Sequence, residues 1–249
     1  MRIAVLLAAA AMVAAGPLGP GTAHAAPAAV KAQRLDGIDS FVDGVMAQQL
    51  ASREVAGAVV TIVHDGRTIL SRGYGKADVA RGIAVDPAQT LFRPGSVSKI
   101  FTWIALMQQV EQGRVDLDAD VNRYLDFAIP PFEGKPIRVR DLMTHSPGFS
   151  DVGGIITRDP AKLKPFREWM KANIPSRQWP AGTEIAYSNY GSAIAGYIVE
   201  QTSGEPFADY VDRHVFAPLG MASTTFRDPL PPALASRLAQ GYELEKGGF

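Results

Sequence analysis

A pair of neighbouring side chains and one distant tyrosine constrain the fold of this chain more than any other feature. Ser96 and Lys99 lie three residues apart, where a Gly-Pro turn at 93–95 runs into an apolar segment that predicts a helix, and Tyr187 follows 91 residues after Ser96. Residues at i and i+3 share one helix face, so Lys99 can reach Ser96, whereas Ser98 points elsewhere around the helix. A serine nucleophile needs a nearby group that takes its proton. If Tyr187 is part of that group, the fold must bring it to the start of this helix.

The two short motifs that contain these residues each occur once. Ser96-Val97-Ser98-Lys99 is the only S-x-x-K in the chain, and Tyr187-Ser188-Asn189 is the only Y-x-N. The first motif stands at a predicted helix N-terminus, where free backbone N–H groups and the helix dipole favour negative charge. One alternative is that Ser96 is an ordinary helix N-cap and Lys99 a solvated charge. Another is that Tyr187 is a loop residue before an N-capping Asn189.

Several further segments accompany the two motifs in a fixed order. They are Gly73-Tyr74-Gly75, Leu91-Phe92-Arg93-Pro94-Gly95, Leu142-Met143-Thr144-His145-Ser146-Pro147-Gly148 and Pro180-Ala181-Gly182-Thr183. With them, the stretch from about Leu35 onward resembles the penicillin-recognising serine hydrolases, in particular the class C β-lactamase-like group of DD-peptidases, D-aminopeptidases and carboxylesterases. The resemblance implies an α+β fold of the β-lactamase/transpeptidase-like type, with an antiparallel sheet flanked by helices and a mainly helical region.

The resemblance also implies a role for each candidate site residue. Ser96 would attack an acyl carbon, and Lys99 and Tyr187 would share its proton. Asn189 would bind the substrate by donating its amide to the substrate carbonyl, or would donate to Lys99. Water would then release the acyl-enzyme, so the expected function is hydrolysis of an amide or ester bond in a β-lactam, a D-amino-acid peptide or a short ester. No cofactor is implied.

One part of the family pattern is not found in the sequence. A K-T-G or H-x-G motif should follow on a strand well after Tyr187, but Thr202-Ser203-Gly204 closes a predicted helix and Lys246-Gly247-Gly248 has no strand pattern around it. We therefore expect residues 26–249 to be the N-terminal portion of a domain whose last sheet strands lie further on. We expect this portion alone to be inactive and poorly folded. Membrane attachment of such a later part is left open.

The first 25 residues have the pattern of a cleavable signal peptide. Met1-Arg2 is followed by an apolar run from Ile3 to Ala15 and by Ala23-His24-Ala25. The run is too short for a transmembrane helix and is followed by Gly and Pro breaks, so we expect export to the periplasm or the medium. Removal of these residues leaves 24 basic and 25 acidic side chains. That balance gives no reason to expect nucleic acid as a partner, and we expect a small-molecule or peptide substrate.

The cysteine and histidine content narrows the possible chemistry. The chain has no cysteine, which excludes disulfides, a thiol nucleophile and a lipid-modified cysteine. No two of its four histidines have the spacing of a zinc motif, so we expect no metal site. His145, with Asp141 four residues before it, is the one candidate for a Ser-His-Asp triad, but the chain lacks a G-x-S-x-G turn.

A different alternative to the enzyme as a whole is a non-catalytic protein of the same fold that binds cell-wall peptides or a protein partner.

Hydrophobic periodicity predicts the main elements of secondary structure. An amphipathic helix covers residues 35–50, and a hairpin covers 59–71 with Asp65-Gly66 as a type I′ turn. The segment 100–110 is apolar around most of a helix circumference, so we expect that helix to be buried and to hold the S-x-x-K motif rigidly. The rest of the chain is predicted to be mainly helical, with helices at 161–173, 189–202 and 206–216.

Overall fold

The structure, a computed structural model, describes residues 35–150 and 159–243. The predicted signal peptide at 1–25 lies outside these residues. The chain divides into two compact units, Met1–Ala47 and Gln48–Phe249. Helix α1 (Ile38–Ala51) crosses this division and confirms the predicted amphipathic helix at 35–50. The elements described next all belong to the second unit.

The second unit contains a three-stranded antiparallel sheet. Strand β1 (Gly57–His64) pairs with β2 (Arg67–Asp78), and the short β3 (Ile83–Ala84) pairs with the far end of β2. Asp65 and Gly66 connect β1 and β2 with φ angles of +47° and +72°, which confirms the predicted hairpin and its two-residue turn. Strand β2 runs beyond the predicted end of the hairpin because residues 72–75 pair with the first residues of β1, and Lys76 and Asp78 then pair with β3.

Two helices form the centre of the helical region. Helix α2 (Lys99–Glu111) packs against α5 (Asn189–Ser203), and nine residues of α5 are buried. Between them lies one fully buried polar side chain, Gln109. Its amide donates to the Tyr210 hydroxyl at 2.8 Å and accepts from the Thr202 hydroxyl at 3.2 Å. Because the NH₂ group and the carbonyl oxygen of the amide both have hydrogen-bond partners, the burial of Gln109 leaves neither of them unpaired.

Shorter helices complete the described part of the second unit. Helices α3 (Val139–Met143), α4 (Phe166–Ala172) and α6 (Phe207–Val211) each pack against α5, and α7 (Pro232–Ala235) comes last. Sheet and helices together agree with the predicted α+β class. The described residues contain no helix that is long and apolar enough to cross a membrane, and no group of three or more His, Asp or Glu side chains that could hold a metal ion.

The expectation that α2 is buried on most sides is wrong. Its inward face consists of four buried side chains, Thr102, Ala105, Leu106 and Gln109. Its outward apolar side chains are between 36% and 53% exposed, and these are Ile100, Ile104 and Met107. An apolar pattern around a whole helix indicates that every face is suited to burial, but it does not show which faces the chain covers.

The later helices differ from prediction where proline intervenes. The helix predicted at 161–173 is divided into a 3-10 turn at Pro160–Lys162 and helix α4, because Pro165 holds extended backbone with ψ of +138° before the first residue of α4. The helix predicted at 189–202 is confirmed as α5. The helix predicted at 206–216 is confirmed as α6, which continues as a π-helical turn at Asp212–Phe216.

Candidate active site

Ser96 lies in a 3-10 turn, Gly95–Ser98, that runs directly into α2. The sequence predicted a regular α-helical start here, and the tighter turn has a consequence for the site. In a 3-10 turn the side chains at i and i+3 eclipse each other, so Lys99 stands over Ser96. The Lys99 ammonium nitrogen donates to Ser96 Oγ at 3.0 Å. Ser96 is exposed and Lys99 half-buried, so solvent reaches the pair.

Tyr187 and Asn189 come from the start of α5. Ser188 is the N-cap of this helix, with its hydroxyl accepting from the Gly191 N–H at 2.9 Å. Tyr187 precedes the cap, and Asn189 is the first helical residue. Because α5 packs against α2, the two helix starts meet, and the Tyr187 hydroxyl donates to Ser96 Oγ at 2.5 Å. The fold thus brings all four predicted site residues into one cluster.

Lys99 is the centre of this cluster. Its Nζ donates to three acceptors: Ser96 Oγ at 3.0 Å, the Tyr187 hydroxyl at 2.5 Å and Asn189 Oδ1 at 2.8 Å. An ammonium group has three N–H donors and no acceptor, so these contacts use its full capacity. Of the two roles predicted for Asn189, donation to Lys99 is therefore wrong: Asn189 accepts from Lys99, because the ammonium can only donate. Its amide NH₂ takes no part in this contact and makes no hydrogen bond with another described residue, so it can donate to a substrate carbonyl.

The environment of the Tyr187 hydroxyl favours its ionised form. The hydrogen bond from Lys99 lowers the pKa of Tyr187 below its usual value, and the contact with Ser96 lowers it further. Burial acts in the opposite direction, but the side chain is 54% exposed. A tyrosine whose phenolate is stabilised in this way is suited to take a proton from a neighbouring hydroxyl.

His145 contacts the same tyrosine, which the sequence did not predict. Its imidazole stacks on the Tyr187 ring with centroids 4.4 Å apart and planes at 30°, and its Nδ1 accepts from the Ser188 N–H at 3.3 Å. Trp103 makes an edge-to-face contact with the same imidazole, at 6.3 Å between centroids. Burial lowers the pKa of His145 below its usual value, and the charge of Lys99 lowers it further. The available sequence signal was the motif at 142–148, which contributes to the family resemblance but predicts no contact between His145 and Tyr187.

The geometry does not support a Ser-His-Asp triad. Asp141 accepts from the Arg138 backbone N–H at 2.9 Å and from the Arg138 guanidinium at 3.1 Å, where it caps α3. In a triad the His145 Nδ1 would face this carboxylate, but it faces the Ser188 N–H instead. No hydrogen bond between described residues joins His145 to Ser96 or to Asp141.

Comparison with known proteins identifies the family. The sequence profile of the family described as Beta-lactamase matches residues 42–248. The putative penicillin-binding protein PbpX of Bacillus subtilis (strain 168) is 31% identical over 193 residues, which cover 74% of this chain and 44% of that protein. The chain thus spans less than half the length of the curated relatives it matches.

Solved structures give the same result for the fold. The octameric penicillin-binding protein homologue from Pyrococcus abyssi superposes with a TM-score of 0.73 at 26% identity, covering 85% of this chain and 49% of that one. EstCE1, described as a hydrolase with promiscuous acyltransferase activity, superposes with a TM-score of 0.71 at 26% identity, covering 85% and 58%. These similarities confirm the predicted β-lactamase/transpeptidase-like fold.

Proposed function

The chain belongs to the β-lactamase family, and from this premise we propose that it is a serine hydrolase that works through an acyl-enzyme on Ser96. One observation carries the proposal. A single ammonium group, that of Lys99, donates at the same time to the candidate nucleophile Ser96 and to the candidate proton acceptor Tyr187. A serine held in this way has a base within hydrogen-bonding distance, which nucleophilic catalysis by serine requires.

In the first step, Ser96 Oγ attacks the acyl carbon while its proton passes to the Tyr187 oxygen, which lies 2.5 Å away. This transfer needs the phenolate, which for a free tyrosine at pH 7 is about 4 kcal/mol uphill. The charge-assisted hydrogen bond from Lys99 offsets part of that cost, because it is stronger to the anion than to the neutral hydroxyl. Asn189, held by Lys99, has its amide NH₂ available for the substrate carbonyl.

The Ser96 backbone N–H supplies one donor for the negative oxygen of the tetrahedral intermediate. No hydrogen bond between described residues occupies this N–H, which lies in the turn before α2 where backbone donors are unpaired. A donor aimed at a developing oxyanion typically contributes about 10² to 10³-fold in rate. The site therefore supports both proton transfer and charge stabilisation.

Acylation is completed when the tetrahedral intermediate collapses: Tyr187 gives the proton to the leaving nitrogen or oxygen as the C–N or C–O bond breaks. The acyl group stays on Ser96. A water molecule then attacks the ester, with Tyr187 accepting its proton, and the proton returns to Ser96 Oγ as the acid product leaves. Every proton that the site takes up is released, so the cycle consumes only the substrate and one water molecule.

We propose an amide or ester of a small molecule or peptide as the substrate: a β-lactam, a D-amino-acid peptide or a short ester. All three present a carbonyl to the same residues, and the exposure of Ser96 and Tyr187 leaves room for a leaving group on the solvent side. We also propose that the protein is exported, on the basis of the signal-peptide pattern at 1–25.

The proposal is tested by treating the full-length wild-type protein with a fluorescent penicillin and with a fluorescent fluorophosphonate. We expect a covalently labelled band with at least one probe, and turnover of a short ester or a β-lactam. A folded protein that takes up neither probe and turns over neither substrate would contradict the proposal, and would favour a non-catalytic protein that binds cell-wall peptides.

A further inference from the structure

One residue, His145, contacts all three positions of the segment that carries Tyr187. The Ala186 N–H donates to the His145 carbonyl oxygen at 2.8 Å, and the Ser188 N–H donates to His145 Nδ1 at 3.3 Å. Between them, the Tyr187 ring stacks on the imidazole at 4.4 Å. The backbone on both sides of Tyr187 and its ring are therefore all held from the same residue.

Tyr187 needs such support because a half-exposed side chain must keep a fixed position in the site. Its side chain is 54% exposed, yet its hydroxyl lies 2.5 Å from both Ser96 Oγ and Lys99 Nζ. A misplacement of about 1 Å in a catalytic site can reduce the rate by about 100-fold. An exposed ring with no fixed neighbour would sample such displacements continually.

We propose that His145 is a positioning residue for Tyr187, which holds the phenol ring and its flanking backbone so that the hydroxyl meets Ser96 and Lys99. The inference rests on the proposed function, because positioning matters only if Tyr187 moves a proton. It assigns a role to His145 that differs from that of a triad histidine, since the imidazole acts through Tyr187 and exchanges no proton with Ser96.

The positioning contact requires the neutral imidazole. Nδ1 accepts a hydrogen bond only when it carries no proton, so the neutral ring must be protonated at Nε2. A protonated ring has an N–H on both nitrogens, and its Nδ1–H would oppose the Ser188 N–H. It would also add positive charge near Lys99, whose charge already lowers the pKa of His145, as burial does more strongly. Acidification should therefore release Tyr187 and slow acylation.

Among the described residues, one charged side chain acts on the imidazole, that of Lys99. From α2 the ring faces Lys99, and Trp103 adds no charge; from the segment before α5 it faces Tyr187. Asp141, on α3, is held by Arg138. Acid-dependent changes at His145 can thus be separated from those of neighbouring groups by replacing the imidazole alone.

Asparagine is the replacement that the backbone allows. His145 has a φ of +53°, in the left-handed region that asparagine tolerates better than most residues. Asn Oδ1 is as many bonds from the backbone as His Nδ1, so His145→Asn keeps an acceptor for the Ser188 N–H but loses the stacked ring and cannot be protonated. His64→Asn, at the end of β1, is the matched control, since it also removes one imidazole.

The test measures the rate of fluorophosphonate labelling of the full-length protein from pH 8 to pH 5. At pH 8 we expect His145→Asn to be about tenfold slower than wild type, because the ring contact is lost. As the pH falls, both proteins lose rate with the Tyr187 phenolate, but only wild type also loses rate through the titration of His145, so the ratio of the two rates should narrow to about threefold or less. His64→Asn should follow wild type throughout.

The outcomes separate this inference from the proposed function. A wild-type protein labelled at Ser96, with a constant ratio of variant to wild-type rate across this pH range, would overturn the role of His145 alone. A wild-type protein that is not labelled would overturn both. If His145→Asn does not fold, the ring of His145 is titrated by NMR in wild type: a midpoint below pH 6.5 that coincides with the loss of labelling rate supports the inference, and a midpoint more than one pH unit away contradicts it.

Discussion

The body of helix α5 and the residues at its start are held in place by different interactions. In the body, Tyr190, Ile194 and Ile198 are at most 1% exposed and belong to the main apolar core. At the start, Tyr187 is 54% exposed and is held by the hydrogen bond from Lys99 and the ring of His145. The first region depends on burial, which has no directional preference, and the second on polar and aromatic contacts with fixed geometry.

Because of this difference, we expect the stability of the protein and its chemistry to depend on different residues. Stabilisation by burial grows with the apolar area removed from water, about 25 cal/mol per Å², and an exposed tyrosine contributes little of it. Changes at the start of α5 should therefore reduce the acylation rate with little change in the free energy of unfolding. Changes in the body of the α2–α5 pair should do the reverse.

The largest effect is expected from Tyr187→Phe. This change keeps the ring that stacks on His145 and removes only the hydroxyl that contacts Ser96 and Lys99. The rate of fluorophosphonate labelling should fall about 10² to 10⁴-fold, the usual contribution of positioned proton transfer, while the melting temperature stays close to that of wild type.

The control for this prediction is Tyr124→Phe, which removes a hydroxyl that accepts from the Asp116 N–H and contacts none of the site residues. It should label at the wild-type rate. If Tyr187→Phe lowers the melting temperature strongly but leaves labelling unchanged, the separation of stability from chemistry is mistaken.

An effect of similar size in free energy, but on stability instead of on the labelling rate, is expected from Leu106→Ala. Leu106 is fully buried on the inward face of α2, so the change should reduce the free energy of unfolding by about 2 to 5 kcal/mol. Met107→Ala, the next residue and 40% exposed, should cost about 1 kcal/mol or less. Urea unfolding of both variants measures the difference. Equal losses of stability would show that the two faces of α2 do not differ in burial.

A smaller effect than that of Leu106→Ala is expected at Asp126, where the pH dependence is informative. Burial raises the pKa of this carboxylate, but hydrogen bonds from Arg167, Tyr197 and Lys171 outweigh it and lower the pKa to about 2. A carboxylate whose pKa falls on folding stabilises the protein above its unfolded pKa of about 3.9 and loses that contribution as the pH drops through its folded pKa.

Asp126→Asn should therefore cost about 1 to 2 kcal/mol in urea unfolding at pH 7, because charge-assisted hydrogen bonds are lost. The difference in the free energy of unfolding between wild type and Asp126→Asn should narrow as the pH falls from 4 toward 2. A gap that stays constant over that range would show that the ionised carboxylate does not provide the stabilisation.

Local signals in the sequence predicted much of the fold. The Asp65-Gly66 turn and the helix from Asn189 follow from residue preferences that act over a few positions, and the structure contains both. The break before α4 was missed because the effect of Pro165 was outweighed in the pattern by apolar residues on both sides. The exposed face of α2 was missed because periodicity identifies apolar faces without identifying what covers them.

The candidate site, like the fold, was predicted only in part from the sequence. Ser96 and Lys99 could be paired from their spacing, and Tyr187 could be added by family resemblance. The contact between His145 and Ser188 spans 43 residues and depends on how the loop after α3 meets the start of α5. No local pattern contains that information, so the stacked imidazole appears only in the three-dimensional structure.

The central claim is that Ser96 is the nucleophile, and the most direct test locates the covalent adduct. The full-length protein is labelled with a fluorophosphonate, digested and mapped by mass spectrometry, beside Ser96→Ala and Ser98→Ala, which lie in the same 3-10 turn. We expect one adduct, on Ser96, in wild type and Ser98→Ala, and none in Ser96→Ala at an unchanged melting temperature. An adduct on another serine, or labelling that persists in folded Ser96→Ala, would contradict the account.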